Sequence, residues 1–200
     1  MARIDRVVTA GTFSLDGETF DVDNNVWIVG DDDEVVVIDA AHDANAILHA
    51  VGHRRVVAIV CTHGHDDHID AAPELALRTG APILLHADDL MLWHMKYPDL
   101  EPDTHLTDGQ EITAGGVALT VMHTPGHSPG AVSLFAPSLG VVFTGDTLFQ
   151  GGPGATGRSF SDKPTILNSI RTRLLTLPAD TVVHTGHGTD TTIGAEARSL

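Results

Sequence analysis

At 200 residues with 42% hydrophobic content, 20 glycines and 10 prolines, the chain is long enough to bury a core, and a single domain over 1–200 is expected. Its formal charge of -16, from 27 acidic against 11 basic side chains, excludes a nucleic-acid backbone as partner, because so few cations cannot build a basic face. No run approaches the ~18 apolar residues of a membrane span. The Met1-Ala2-Arg3-Ile4-Asp5 start has no signal-peptide core, and the lone Cys61 suits a reducing compartment, so a cytoplasmic protein with no membrane partner is expected.

Residues 20–29 and 34–40 are β-branched runs split by Gly30 and Asp31-Asp32-Asp33, the pattern of a hairpin. The second run is apolar from Val35 to Ile38, as expected of a strand covered on both faces. Asp39 follows at the strand end, where its carboxylate either orients a metal-bound histidine or caps the next helix. Residues 43–51 read as a helix stopped by Gly52, and 55–62 as a buried strand. That strand leads into Thr62-His63-Gly64-His65-Asp66-Asp67-His68. Helix resumes over 69–79 before Gly80, and 82–86 is a further short strand, giving layered α/β architecture.

His63 and His65 are two apart, so in an extended loop they point the same way, while Asp67 and His68 turn elsewhere. A single tetrahedral ion would need strain to take four ligands from six consecutive residues, so the offset suits two ions side by side. The competing reading is a histidine-rich surface loop.

Further along, residues 87–103 carry Met91, Trp93, Met95 and Tyr97 in a partly helical insert that either lines a substrate groove or covers the core. Residues 110–122 form a hairpin about Ala114-Gly115-Gly116. The rigid loop Thr124-Pro125-Gly126-His127-Ser128-Pro129-Gly130 then precedes a strand over 131–135, and His127 is its strong ligand. Strand 141–143 ends in Thr144-Gly145-Asp146-Thr147, and strand 181–184 ends in Thr185-Gly186-His187-Gly188. Ligand-type side chains thus recur where glycine-rich turns leave strand ends, the edges at which α/β sheets bind ligands. The stretch 148–161 is either an ordinary connection or a pocket wall with Arg158 as an anion contact. Residues 163–175 read as an amphipathic helix ending before Pro178, and 193–200 as a short helical tail. The eight histidines outside these motifs, His42, His49, His53, His86, His94, His105, His123 and His184, read as surface or core residues.

Imidazoles and carboxylates without thiolates suit zinc, iron or manganese, and two such ions ~3.5–4 Å apart share a hydroxide that is nucleophilic near neutral pH. A thioester suits that chemistry, since its leaving thiolate needs little protonation and no lysine or tyrosine stands out as a general acid.

In their order and with their flanking glycines, His63, His65, Asp67, His68, His127, Asp146 and His187 resemble the metallo-β-lactamase superfamily over residues 24–187. The resemblance implies an α/β fold, the αββα sandwich of two mixed β-sheets with helices on the outer faces. It also implies two divalent metal ions, zinc first, with iron or manganese as alternatives. His63, His65 and His127 would hold one; Asp67, His68 and His187 would hold the other; Asp146 would bridge them. Asp67 is carried over as catalytic as well as ligating, and Asp39 as the acid behind a metal-bound histidine.

Within the superfamily, the 124–130 loop, Phe143-Thr144-Gly145-Asp146-Thr147-Leu148-Phe149 and Gly157-Arg158-Ser159-Phe160 look most similar to glyoxalase II, the hydroxyacylglutathione hydrolases. There Arg158 and Phe160 would touch the thiol carrier of a small-molecule thioester substrate, Phe160 replacing a more usual tyrosine. Glyoxalase II ends in a helical domain that adds glutathione contacts, whereas this sequence ends 13 residues after His187, so another low-molecular-weight thiol, of the mycothiol type, is the expected carrier. True β-lactamases of the best-known zinc class place a cysteine where Asp146 stands. The alternatives are a persulfide dioxygenase with one iron on His63, His127 and Asp146, and a lactonase- or β-lactamase-like hydrolase.

Overall fold

The computed structural model describes residues 1–198. Its first sheet is built from β1 (Arg3–Leu15), β2 (Glu18–Gly30), β3 (Glu34–Ile38), β4 (Arg55–Val60), β5 (Ile83–His86) and β6 (Thr104–Leu106), lying side by side in that order. The β1–β2 and β2–β3 pairs are antiparallel and the later pairs are parallel, so the sheet is mixed. Parallel neighbours need crossovers. These carry α1 (Ala44–Val51), α2 (Asp66–Ile69), α3 (Ala72–Thr79) and α4 (Leu90–Lys96).

A second sheet follows from β7 (Glu111–Ala114), β8 (Val117–His123), β9 (Val132–Ala136) and β10 (Val141–Gly145). After a small ribbon, β11 (Leu148–Phe149) with β12 (Gly152–Pro153), come α5 (Lys163–Ser169), β13 (Val182–Thr185), β14 (Thr191–Thr192) and α6 (Ile193–Glu196). The order β14-β13-β10-β9-β8-β7 is antiparallel except where β10 meets β13.

Strand alternation assigns the side chains to layers. On β3, Val35 and Val37 pack with Ile47, Leu75 and Trp93 of the helices, whereas Val36 and Ile38 face Leu119, Leu134 and Phe143 of the second sheet. Both faces of β3 are therefore covered, which is why its sequence is apolar throughout. Beyond the second sheet, Val142 and Val183 pack on Ile166, Ile170 and Leu174. The expected αββα sandwich is the observed one. Each fully buried aliphatic side chain contributes ~1.5–3 kcal/mol, so these three packed clusters between the four layers, rather than metal ligation, hold the scaffold together.

Two local readings change, and one left open in the sequence is decided. Strand β1 is not expected from the sequence: it mixes polar with apolar side chains, most of them exposed or half-buried, and it pairs along the full length of β2. Residues 69–79 are two helical pieces, α2 and α3, so Asp67 and His68 sit on a helical turn rather than in a loop. The 87–103 insert is a cover, with Trp93 fully buried and its indole N–H donating to Leu100 O at 2.7 Å. Helix α5 continues as a π-helical turn over Ile170–Leu174, and of the tail read over 193–200 the last two residues lie outside the described ones.

Candidate metal centre

Four strand ends converge on one edge of the sandwich. The chain leaving β4 supplies His63 and His65, and the turn of α2 supplies Asp67 and His68. The β8–β9 loop supplies His127, the end of β10 Asp146, and the end of β13 His187. The structure brings together all seven predicted ligands, and their donor atoms fall into overlapping triples: His63 with His65 and His127, Asp67 with His68 and His187, and His63 with His68 and Asp146.

The neighbouring residues fix which nitrogen each ring presents. Asp39, one residue past β3, accepts from the Thr62 N–H at 2.7 Å, the Thr62 hydroxyl at 2.8 Å and His68 Nδ1 at 3.0 Å. The Thr62 oxygen in turn lies 3.0 Å from His63 Nδ1. Asp39 is thus the acid behind the imidazoles, and Asp43 caps α1 instead, through the N–H groups of Asn45 and Ala46. His127 Nδ1 donates to Ala155 O at 2.9 Å and His187 Nδ1 to Asp23 O at 2.8 Å. With each Nδ1 engaged, four rings turn Nε2 inward, the arrangement that readies an imidazole for a metal. His65 is reversed, its Nδ1 standing 3.0 Å from His127 Nε2.

The spacing suits metal ions. Bonds of about 2.0–2.1 Å in a tetrahedral shell set ligand atoms about 3.3 Å apart. His68 Nε2, His187 Nε2 and Asp67 Oδ2 form a triangle with edges of 3.2, 3.4 and 3.4 Å. Asp146 reaches both groups: Oδ1 is 3.4 Å from His68 Nε2, and Oδ2 is 3.6 Å from His127 Nε2 and 3.4 Å from His187 Nε2. His63 Nε2 and Asp146 Oδ1 are buried without a hydrogen-bond partner, each a cost of ~1–3 kcal/mol that a coordinated ion removes. A side chain at Gly186 would run into Asp146 Oδ1 and stand 2.8 Å from His68 Cε1, so only glycine lets β13 deliver His187 this close.

Electrostatics separates the two groups. Burial and the surrounding imidazoles hold His63 well below its ordinary value, and burial takes His65 down to about 3, so both rings are neutral. Burial also opposes charge on His68 and His187, but the carboxylates outweigh it. Asp67, Asp146 and Asp39 raise His68 to about 9, and Asp146 with Asp67 raises His187 to about 11. Correspondingly, His68 and His187 overcome burial of Asp67 and lower it to about 2. Protons thus occupy the Asp67/His68/His187 group as a cation would.

A cavity of about 260 Å³ opens over the ligands. Phe13, Phe20 and Val22 of the β1–β2 hairpin form one wall and Ala155, Arg158, Ser159 and Ser161 the other. Phe13 meets His65 edge-on at 5.1 Å between centroids. Arg158 is in this wall as expected, but its Nη1 is 2.7 Å from Glu18 Oε2 and its guanidinium lies 4.6 Å over the Phe20 ring. The expectation for Phe160 is corrected. It is not among the residues lining the cavity and instead lines a separate groove with Pro125 and Pro129 behind the His127 loop, its backbone at φ 69. The cavity's phenylalanines are Phe13 and Phe20: Phe20 opens the run already read as a strand over 20–29, whereas Phe13 comes with β1, which the sequence reading does not include.

Asn24 and His42 were also missed. Asn24 Nδ2 donates to Asp67 Oδ2 at 3.0 Å, and its Oδ1 is 2.8 Å from His42 Nε2, whose Nδ1 is 3.0 Å from Asp70. His42, read as a surface or core residue, therefore belongs to a chain of hydrogen bonds ending on a ligand carboxylate.

A model of the Metallo-beta-lactamase superfamily matches residues 19–187. Hydroxyacylglutathione hydrolase GloC of Haemophilus influenzae is 32% identical over 191 residues, covering 88% of this chain and 90% of that one. Among solved structures, BLEG-1 B3 metallo-beta-lactamase superposes with TM-score 0.79 at 31% identity, over 95% of this chain and 97% of that one. TTHA1623 in a di-iron-bound form gives TM-score 0.80 at 32% identity, covering 89% and 94%. The chain belongs to the metallo-β-lactamase superfamily and is one of its metal-dependent hydrolases. Among the described residues, no helix is long and apolar enough to cross a membrane.

Proposed function

We propose that this protein is a two-ion thioester hydrolase acting on the acyl thioester of a small thiol, with the metal ligands assigned above. The observation that carries the reading is the complete seven-donor set, in which Asp146 touches both groups beneath a cavity with aromatic walls. Bound there, zinc, iron or manganese ions supply Lewis acidity toward the carbonyl and a water acidic enough to react near neutral pH. Asp67, which lines the cavity and is held by Asn24, is assigned the catalytic role of orienting the attacking water by accepting a hydrogen bond from it. Phe13 and Phe20 exclude bulk water and bind the apolar part of the substrate. Among the described residues neither lysine nor tyrosine lines the cavity, which fits a thiolate that leaves unprotonated. The one-iron dioxygenase reading leaves the tight Asp67/His68/His187 triangle without a role.

Arg158 is already paired with Glu18 through Nη1, so an anionic carrier competes with Glu18 for the guanidinium charge. The test is a panel on the metal-loaded enzyme: a glutathione thioester, an uncharged aryl thioester, a β-lactam, a lactone, and a persulfide in an oxygen electrode. Thioester turnover with kcat/KM above ~10⁴ M⁻¹s⁻¹ and no oxygen uptake is expected. For the anionic thioester, Arg158→Ala should raise KM and Glu18→Gln lower it, each by ~2- to 5-fold, the range of a partly exposed ion pair. KM for the neutral one should stay unchanged. Oxygen consumption, or turnover of the β-lactam or lactone alone, overturns the assignment.

A further inference from the structure

A short 3-10 turn, Ala87–Asp89, links β5 to α4 and is wedged between the loops that carry His63, His65 and His127. Asp89 at its end is fully buried, and its carboxylate accepts three hydrogen bonds. Oδ2 takes the Gly64 N–H at 2.8 Å and the Ser128 hydroxyl at 2.6 Å, while Oδ1 takes the Gly130 N–H at 2.5 Å. Gly64 stands between His63 and His65; Ser128 and Gly130 lie just after His127. One carboxylate therefore ties together the two loops that supply a single triple, without a hydrogen bond to any of its imidazoles.

The packing agrees. A side chain at Gly64 would stand 2.9 Å from Asp89 O and from Leu92 Cβ, and one at Gly130 would stand 2.7 Å from Asp89 N. Both loops thus rest directly on this turn. A buried carboxylate is costly to keep, and a turn that served only to fill space would do so better with an apolar side chain.

We infer that Asp89 is a positioning residue for the ion held by His63, His65 and His127, setting the distance between the 63–65 loop and the 127 loop. It is separate from Asp39, which reaches His68 directly and His63 through Thr62. The inference rests on the two-ion reading above but not on the choice of thioester.

The test is a chelator-competed titration of metal-free protein with Zn²⁺, repeated with Co²⁺ for its absorption bands. His127→Ala and His187→Ala identify which binding step belongs to which triple. Asp89→Asn keeps the size of the side chain but turns an N–H toward a donor. It is expected to weaken the His63/His65/His127 step by up to ~10-fold, the low end of the range for losing a partner bonded directly to a metal ligand, because Asp89 acts on the loops rather than on the rings, and to shift that site's Co²⁺ bands. The Asp67/His68/His187 step should not move. Ser128→Ala removes one of the three donors and should give a smaller shift of the same step, which keeps the test available if Asp89→Asn does not fold. Unchanged affinity of that step in whichever variant folds overturns the inference. So does weakening of both steps together in proportion to lost thermal stability. If the wild-type protein takes up fewer than two ions, the two-ion reading fails, and Asp89 is judged on the single step that remains.

Discussion

Asp146→Ala is expected to take up neither ion under conditions that load the wild-type protein, and to lose hydrolysis by more than ~10³-fold. The carboxylate lies within 3.6 Å of His127, His68 and His187, so among the described residues it is the acidic group in reach of both triples. Without it, two cations would sit side by side in a buried site with Asp67 as the remaining carboxylate of the ligand set and Asp39 only behind His68, and an undercompensated buried charge is strongly destabilising. Metal ions supply several kcal/mol of transition-state stabilisation, and each ~1.4 kcal/mol lost is a factor of ten in rate, which gives the expected drop. The fold itself should survive, because its layers pack around Trp93, Phe143 and Leu174 rather than around the ligands. Elemental analysis with a circular dichroism spectrum checks both halves. A folded variant that still carries two ions would show that Asp146 is not shared.

Metal uptake is expected to displace protons from one triple far more than from the other. In metal-free protein His68 and His187 are raised to about 9 and about 11, so at neutral pH an ion entering between them must expel bound protons. The two rings face each other at 3.2 Å across shared carboxylates. One to two protons should leave, so affinity should fall by ~10- to 100-fold per pH unit on going from pH 8 to 6. The His63/His65/His127 step should be shallower, since burial already keeps His63 and His65 neutral.

Stability follows the same sign. A raised histidine stabilises metal-free protein fully below its ordinary value of 6.5, and that contribution disappears as pH rises through about 9 for His68 and about 11 for His187. Asp67, lowered to about 2, contributes above its ordinary 3.8 and is lost only as pH falls. Metal-free protein should therefore lose thermal stability above neutrality, whereas loaded protein should not. Melting curves at pH 6 and pH 9 measure the gap, which should widen at the higher pH. A gap that narrows contradicts this account of the ligand triangle.

Much of this site could be read in advance because the ligands cluster in short glycine-flanked stretches after apolar strands. Val35 to Ile38 and Val141 to Phe143 announce strands buried on both faces, and a polar residue directly after such a run must sit at the sheet edge. What was hidden lay in weakly patterned chain. Strand β1 is half exposed and mixes charges with apolar residues, so its alternation is faint; the Asp16-Gly17 pair at φ 55 and 79 was the available hairpin signal. Missing it removed Phe13, and with it the wall that faces His65. Phe160 was misplaced because nearness to Arg158 in sequence does not reveal a left-handed φ. Asp89, in Ala87-Asp88-Asp89, reads as one of two solvated acids until the fold buries it between two ligand loops.

The proposed thioester hydrolysis requires both ions beneath the one cavity. The most direct measurement adds Zn²⁺ stepwise to metal-free protein while following hydrolysis of a thioester in the same cuvette. The account predicts little activity through the first equivalent and a rise to full rate through the second. A rate that reaches its plateau at one equivalent, or that never rises although two ions bind, would contradict it.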